Sequence, residues 1–305
     1  MFHSDIDDLT EWEPELRRLL PNLECSLSTE ITDPGNIDIA LIWKTPPDIN
    51  AYTNLRAILC LGAGVDQLDL SSLPRGVPLA RLRDPELTKA MRQYCQWAVL
   101  RYHRDFHLYE RFSQAGGPWR FRLPRPPCTT RVGVLGLGEL GGSVARDLVD
   151  MGFMVSGWAR TERSIDGVRC FIGADRLFDI AGQSDILINL LPLTADTEGI
   201  LNGSLFEAMP RGSYLINVGR GRHLVDDDLI AALASGQIGG ATLDVFRNEP
   251  LPADHPFWRN PLVLVTPHVA SAANAATAAI QVVDNIRRAM RGDTLLNQVD
   301  RSRGY

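Results

Sequence analysis

The segment Gly136-Leu-Gly-Glu-Leu-Gly141 constrains the fold of this chain more than any other. An apolar run, Val132–Leu135, precedes it, and a helical pattern with Leu140, Val144 and Leu148 on one face opens from it. A further apolar run, Phe153–Trp158, follows within about 30 residues, which is the span of one β-α-β unit. Alone, a Gly-x-Gly-x-x-Gly spacing is weak and can be a purely structural turn. In strand–turn–helix context each glycine has a task. Gly136 permits the tight turn, Gly138 lets a pyrophosphate approach the backbone, and Gly141 lets the helix pack close to the strand. The N–H groups of Leu137, Gly138, Glu139 and Leu140 then open the helix where a phosphate would sit. The expected ligand is a dinucleotide.

Short apolar runs alternate with helical patterns along the whole chain, which predicts an α/β fold with parallel sheets in two Rossmann-like or flavodoxin-like domains. At 305 residues the chain is long enough for both. Strands are expected at 23–27, 37–43, 57–61 and 77–82 around a helix at 11–20. A second series is expected at 132–135, 153–158, 186–190, 214–218, 240–244 and 263–266. Asp84-Pro85 supplies a cap and a first-turn proline for a helix with no breaker until about Phe112, and Gly116-Gly117 ends it. Pro118 to Pro127 read as a Pro- and Arg-rich linker or arm. Asp226-Asp-Asp228 is expected to cap a helix ending near Gly236, and an Ala-rich helix is expected over 272–290. That last helix should return to the first domain. The expected division is 1–92 with 274–305 as substrate domain, and 93–273 as cofactor domain with an arm at about 100–125.

A carboxylate normally stands at the end of the next strand to hold the ribose hydroxyls of NAD. Here Ala159 occupies that place, followed by Arg160, Thr161, Glu162 and Arg163. With no acid to repel a 2′-phosphate and two arginines to bind one, NADP(H) is the preferred cofactor, with NAD(H) second. Further on, three residues each sit just past a strand of the second series: Arg220, Glu249 and His268. A guanidinium fork suits an anionic substrate, an imidazole moves protons near neutral pH, and a carboxylate favours the protonated imidazole. Each alone reads as a loop cation, a turn or a satisfied polar group; together they read as the catalytic set of a hydride-transfer enzyme acting on a 2-oxo acid.

In the first domain, Gly62, Ala63, Gly64 and Val65 follow a strand, and their N–H groups are a candidate anion nest for a substrate carboxylate, against the plainer reading of a strand-to-helix connection. Trp43 and Lys44 end another strand and are candidates for the same cleft. His103 and His107 have helical metal-pair spacing but lack a third ligand, so an interface role fits them better than a metal, and no metal site is expected. His223 lies near Arg220, without a catalytic role being assigned to it. The net charge of −6 weighs against nucleic acid or an anionic membrane as partner. Five scattered cysteines, no signal-like N-terminus and no long apolar run point to the cytoplasm.

With these residues in view, the chain resembles the D-isomer-specific 2-hydroxyacid dehydrogenases, and within them the reductases of glyoxylate and hydroxypyruvate. The resemblance covers nearly the whole chain. It is carried by 136–142, 186–194, 215–222, Leu243-Asp-Val-Phe246 with Glu249-Pro-Leu-Pro252, Thr266-Pro-His268 and the terminal 299–305. It implies that Arg220, Glu249 and His268 are the catalytic arginine, glutamate and histidine, and that Gly62–Val65 bind the substrate carboxylate. It also implies cofactor contacts from Leu191, Pro192, Thr197, Val218, Gly219, Arg220 and His268, with Asp244 at the nicotinamide end. A homodimer is implied too, joined through the arm around Asp105–Phe121, with Trp119 reaching toward the neighbouring subunit. The segment 269–274 departs from the relatives, and Ser271 and Asn274 there bear on the substrate pocket. Alternatives are a larger 2-oxo acid such as phenylpyruvate, and a nucleotide-sensing protein on the same scaffold.

Overall fold

A computed structural model describes residues 1–114, 116–117 and 119–301. Pro118 of the expected linker and residues 302–305 of the terminal motif lie outside the described residues. The chain divides into two compact units, Met1–Leu87 with Ala272–Tyr305, and Thr88–Ser271. The sequence placed the first division about five residues later.

The first unit holds β1 (Phe2–His3), α1 (Leu9–Leu19), β2 (Ile39–Ile42), β3 (Ala57–Cys60) and β4 (Leu79–Ala80). The four strands pair in that order and in parallel. β2 and β3 are buried at every position, as sheets covered on both faces require. The edge strand differs from expectation. The run 23–27 forms no ladder strand; Phe2–His3 takes the edge, and Leu27 makes a single bridge to Phe2. Three of the five residues at 23–27 are polar or half-buried cysteine, too little apolar surface to hold a ladder. The chain's last described helix, Ala275–Arg291, closes this unit: Ala278, Ala279, Val282, Val283 and Ile286 pack with Leu16 of α1 and Leu59 of β3.

In the second unit α2 (Pro85–His103) and α3 (Phe106–Gln114) replace the single long helix expected to about Phe112. Asp105 adopts a left-handed backbone (φ 58°) between them, a conformation that aspartate tolerates better than most residues, and its side chain accepts a hydrogen bond from Arg122 at 2.6 Å. His103 and His107 are therefore not one turn apart on one helix. His103 contacts Thr130 Oγ1 at 2.9 Å, and His107 Nδ1 lies 3.2 Å from the Arg101 carbonyl. Both are buried polar groups of the core. Met91, Cys95, Ala98, Val99 and Tyr102 bury one face of α2 in this unit, which is why the division falls in that helix's first turn.

There follow β5 (Arg131–Leu135), α4 (Glu139–Asp150), β6 (Met154–Ala159), β7 (Val168–Ile172), α5 (Leu177–Ala181), β8 (Ile186–Asn189), α6 (Gly203–Ala208), β9 (Ser213–Asn217), α7 (Asp226–Ala234), β10 (Ile238–Leu243) and β11 (Val263–Val265). The Ala-rich helix is α8 in this numbering. β7 was not expected: Val168-Arg-Cys-Phe-Ile172 leaves four of its five residues half-buried or exposed, the pattern of an edge. The cap of α7 also differs. Val225 is the cap residue and makes no side-chain bond, while the three aspartates form the first turn and Asp228 accepts from Gly203 N–H at 2.7 Å.

The second sheet runs β7-β6-β5-β8-β9-β10-β11, all parallel. The order reverses between β5 and β8. In open α/β sheets the crevice beyond the strand ends at such a point is where ligands bind. The glycine turn follows β5 at this place.

Candidate active site

The cofactor turn has the geometry its sequence demands. Gly136 has φ 96°, a region that favours glycine, and a side chain at Gly141 would sit 1.8 Å from the Gly136 carbonyl. By contrast, nothing lies within 4 Å of where a Gly138 side chain would be. The open space at Gly138, with α4 beginning at Glu139, fits a pyrophosphate at a helix N-terminus. β6 ends on Ala159, and Arg160, Thr161 and Arg163 are exposed beyond it.

Arg220, Glu249 and His268 follow three adjacent strands, β9, β10 and β11, at the same carboxyl edge of the sheet. His268 Nδ1 lies 2.8 Å from Glu249 Oε2, while Glu249 Oε1 accepts the Phe246 N–H at 2.8 Å. Burial alone would raise the Glu249 carboxyl. The hydrogen bonds from His268 and Phe246 and the charges of His268 and Arg220 outweigh it, and the group is held below its ordinary value. A carboxylate kept ionised beside Nδ1 fixes the ring's orientation and leaves Nε2 as the nitrogen that could exchange a proton. Arg220 is tied to the neighbouring loop by Gly221. A side chain on that glycine would fall 1.8 Å from the Phe246 carbonyl carbon, so the β9 and β10 loops touch backbone to backbone.

His268 has φ 55°, and what holds it there is Asp244, the residue after β10. The Asp244 carbonyl accepts the His268 N–H at 2.8 Å, and its carboxylate accepts the Val269 N–H at 2.9 Å and the Ala270 N–H at 2.8 Å. Thr266 Oγ1 donates to the same carboxylate at 2.6 Å, so its contact with Tyr94 Oη at 2.6 Å must be one in which the tyrosine donates. Asp244 is buried and acts here as the brace of the histidine turn. Burial pushes the Tyr94 hydroxyl well above its ordinary value, so it stays a donor.

Three buried polar residues went unassigned in the sequence: Asn189 at the end of β8, Asn217 at the end of β9, and His223. Asn217 Nδ2 donates to the Arg220 carbonyl at 3.2 Å, and Asn189 Nδ2 lies 2.9 Å from both Asn217 Oδ1 and His223 Nδ1. An asparagine closing each of two neighbouring apolar strands was the signal that could have found them. Thr197 Oγ1 donates to the Pro192 carbonyl at 2.8 Å and so braces the loop after β8, where Leu191 is buried, as is Val218 after β9.

The expected substrate loop, Gly62–Val65, belongs to the first unit. There Gly62 abuts the Trp43 ring, which a side chain at Gly62 would meet at 2.5 Å, and its N–H points to Cys60 Sγ at 3.4 Å. Arg81, a cation not singled out in the sequence, reaches the Ala63 carbonyl at 3.3 Å. A cavity of about 590 Å³ lies elsewhere, at the amino edge of the second sheet, lined among others by Arg122, Arg125, Asp185 and Tyr214. The glycine turn, Arg220, Glu249 and His268 lie at the opposite edge. Among the described residues no cluster of metal-ligating side chains occurs, and no helix is long and apolar enough to cross a membrane.

Residues 96–270 match the family described as D-isomer specific 2-hydroxyacid dehydrogenase, NAD binding domain. The chain belongs to that family. It is similar to a glyoxylate/hydroxypyruvate reductase A of Serratia proteamaculans, at 40% identity over 100% of this chain and 99% of the relative. A D-isomer specific 2-hydroxyacid dehydrogenase of Xanthobacter autotrophicus, solved with NADPH and MES, superposes with a TM-score of 0.92 at 42% identity, covering 100% of this chain and 98% of that one. An NADPH-dependent glyoxylate/hydroxypyruvate reductase of Sinorhizobium meliloti, solved with NADP and sulfate, gives 0.91 at 35% identity over 100% and 99%.

The depressed Glu249 carboxyl carries a pH signature. Its ionised form stabilises the fold fully above the unfolded value of 4.5, and that contribution is lost as pH falls through the lower folded value. Thermal unfolding of the wild type and Glu249→Gln should therefore differ at pH 6 and draw together as the pH is lowered well below 4.5. A gap in unfolding temperature that is the same at both ends contradicts the pairing.

Proposed function

We propose that this protein reduces small 2-oxo acids with NADPH, glyoxylate to glycolate and hydroxypyruvate to D-glycerate. The single observation that carries the reading is the His268–Glu249 pair, 2.8 Å apart, one strand away from Arg220 at the carboxyl edge of a dinucleotide-type sheet. When bound, NADPH supplies the hydride for the carbonyl carbon. The chain supplies the rest. Arg220 offers a fork that matches a carboxylate and the adjacent carbonyl oxygen. His268, protonated and braced by Glu249, gives its Nε2 proton to the oxygen that becomes the hydroxyl. Leu137–Leu140 would receive the pyrophosphate, and Leu191, Pro192, Thr197, Val218 and Gly219 border the same strand ends.

NADPH oxidation followed at constant NADPH with a panel of 2-oxo acids tests the reading: turnover with glyoxylate and hydroxypyruvate is expected to exceed that with phenylpyruvate. His268→Ala is expected to lower kcat by roughly 10²–10⁴-fold while leaving NADPH binding near that of the wild type. Undiminished turnover in that variant refutes the assignment of the proton donor.

NADPH preference is read from the end of β6. Ala159 brings no charge against a 2′-phosphate, and Arg160, Thr161 and Arg163 are exposed to hold it. Ala159→Asp combined with Arg160→Ala is expected to shift kcat/KM toward NADH by at least about tenfold. An unchanged NADPH/NADH ratio places the selectivity elsewhere.

The homodimer belongs to the same proposal. Trp119, Phe121 and Leu123 are 100%, 79% and 80% exposed, an apolar stripe that a single soluble chain has reason to cover. A second copy covering it through the arm fits that exposure. Sedimentation should give a species of twice 33.7 kDa, and replacing Trp119 and Phe121 with serine should shift it toward the monomer. A wild-type chain sedimenting at its own mass removes the dimer. The cytoplasm goes with this reading, since the free cysteines stay reduced there.

A further inference from the structure

His223 is fully buried three residues after Arg220, and nothing in the hydride transfer uses it. Its Nδ1 receives the Arg220 backbone N–H at 3.1 Å and faces the Asn189 amide at 2.9 Å, while its Nε2 lies 3.2 Å from the Pro192 carbonyl. A backbone N–H can only donate, so Nδ1 must carry a lone pair. A carbonyl can only accept, so Nε2 must carry the proton. The ring is thus fixed as one neutral tautomer. From the other side, Asn217 Nδ2 grips the Arg220 carbonyl at 3.2 Å, and Asn217 Oδ1 accepts the Gly219 N–H at 3.3 Å. Arg220 is held at both its N–H and its C=O by buried polar side chains. The same imidazole also ties down Pro192, in the loop that follows β8.

We propose that His223 is a positioning residue for substrate binding: its neutral ring, with Asn189 and Asn217, aims the Arg220 guanidinium at the oxo acid's carboxylate. A loop arginine between two glycines has a backbone with wide freedom, and the clamp removes that freedom before substrate arrives. Two further charges stand near. Arg222 is paired with Glu198 at 2.7 Å, and Arg247 approaches Glu198 at 3.5 Å, both pairs solvent-exposed, whereas the Arg220 backbone is held by the buried His223 and Asn217 and its Nη1 donates to the Gly219 carbonyl at 2.8 Å.

The inference rests on Arg220 holding the substrate, so the experiment separates the two claims. Steady-state kinetics with glyoxylate and NADPH would compare Arg220→Ala, His223→Asn and His223→Gln. An asparagine places its Oδ1 near the position of Nδ1 and can still accept the Arg220 N–H. A glutamine reaches the Nε2 position and keeps only the Pro192 contact. Arg220→Ala should raise KM for glyoxylate steeply. His223→Gln should raise it on the order of tenfold with the NADPH dissociation constant little changed, and His223→Asn should recover most of that loss. Equal KM values for the asparagine and glutamine variants, or wild-type KM in His223→Gln, overturn the positioning role while leaving Arg220's role standing. A wild-type KM in Arg220→Ala removes the underlying reading instead. If the histidine variants do not fold, Asn217→Ala loosens Arg220 from its carbonyl side; it should raise KM for glyoxylate likewise, and an unchanged KM there overturns the clamp.

Discussion

The hydrogen bond between His268 and Glu249 needs two loops from different strand ends to meet within 2.8 Å, and most of the second unit can be understood as the means to that end. Parallel β10 and β11 deliver the loops to one edge. Pairing in register is not enough, because an imidazole on a free loop would swing. Asp244 removes that freedom by taking three successive N–H groups, those of His268, Val269 and Ala270, one with its carbonyl and two with its carboxylate. The left-handed backbone of His268 is the geometric consequence, since three consecutive donors can converge on one residue only if the chain curls. A residue held in a sparsely populated conformation costs free energy, and the charged acceptor beneath it offsets that cost.

The same design recurs two strands over. Arg220, like His268, is a proposed functional side chain on a loop whose backbone is tied by buried polar groups. The two clamps differ in kind. Asp244 is an acceptor-only carboxylate that gathers N–H groups, whereas His223 and Asn217 hold one residue from opposite sides with an acceptor and a donor. Between the clamps, Gly221 lies directly against the Phe246 backbone, so a shift of either loop would be felt by the other. The arginine and the histidine–glutamate pair are therefore set as one rigid group rather than three loops.

These features were unequally legible in the sequence. The glycine turn, the cofactor side of β6 and the catalytic candidates could be read because each depends on residue type at a strand end, and apolar runs locate strand ends well. Edges and breaks could not. β7 is a half-exposed strand whose alternation is weak, β1 is two residues long, and the split between α2 and α3 rests on one aspartate turned left-handed within an otherwise helical pattern. The clamps were hidden for another reason. Asn189, Asn217 and Asp244 sit where a short polar residue ends a strand, a place that ordinarily calls for no explanation. Only the three-dimensional neighbours turn them from strand ends into supports, and His223 from a bystander into the partner of a backbone N–H.

Cofactor choice and substrate handling are thereby assigned to different parts of the second unit. On the proposed reading, selection between NADPH and NADH depends on exposed charges beyond β6, where solvent screens each one and several small contributions must add. Orientation of the substrate, on the same reading, depends on buried, geometry-bound contacts at β9 to β11, where one lost hydrogen bond leaves a polar group stranded. Changes in the first region should be graded and tolerated; changes in the second should be steep. A chain of this architecture can exchange its cofactor preference by surface substitution while the arrangement that turns an imidazole toward a carbonyl stays fixed, because the two share a sheet but no side chain.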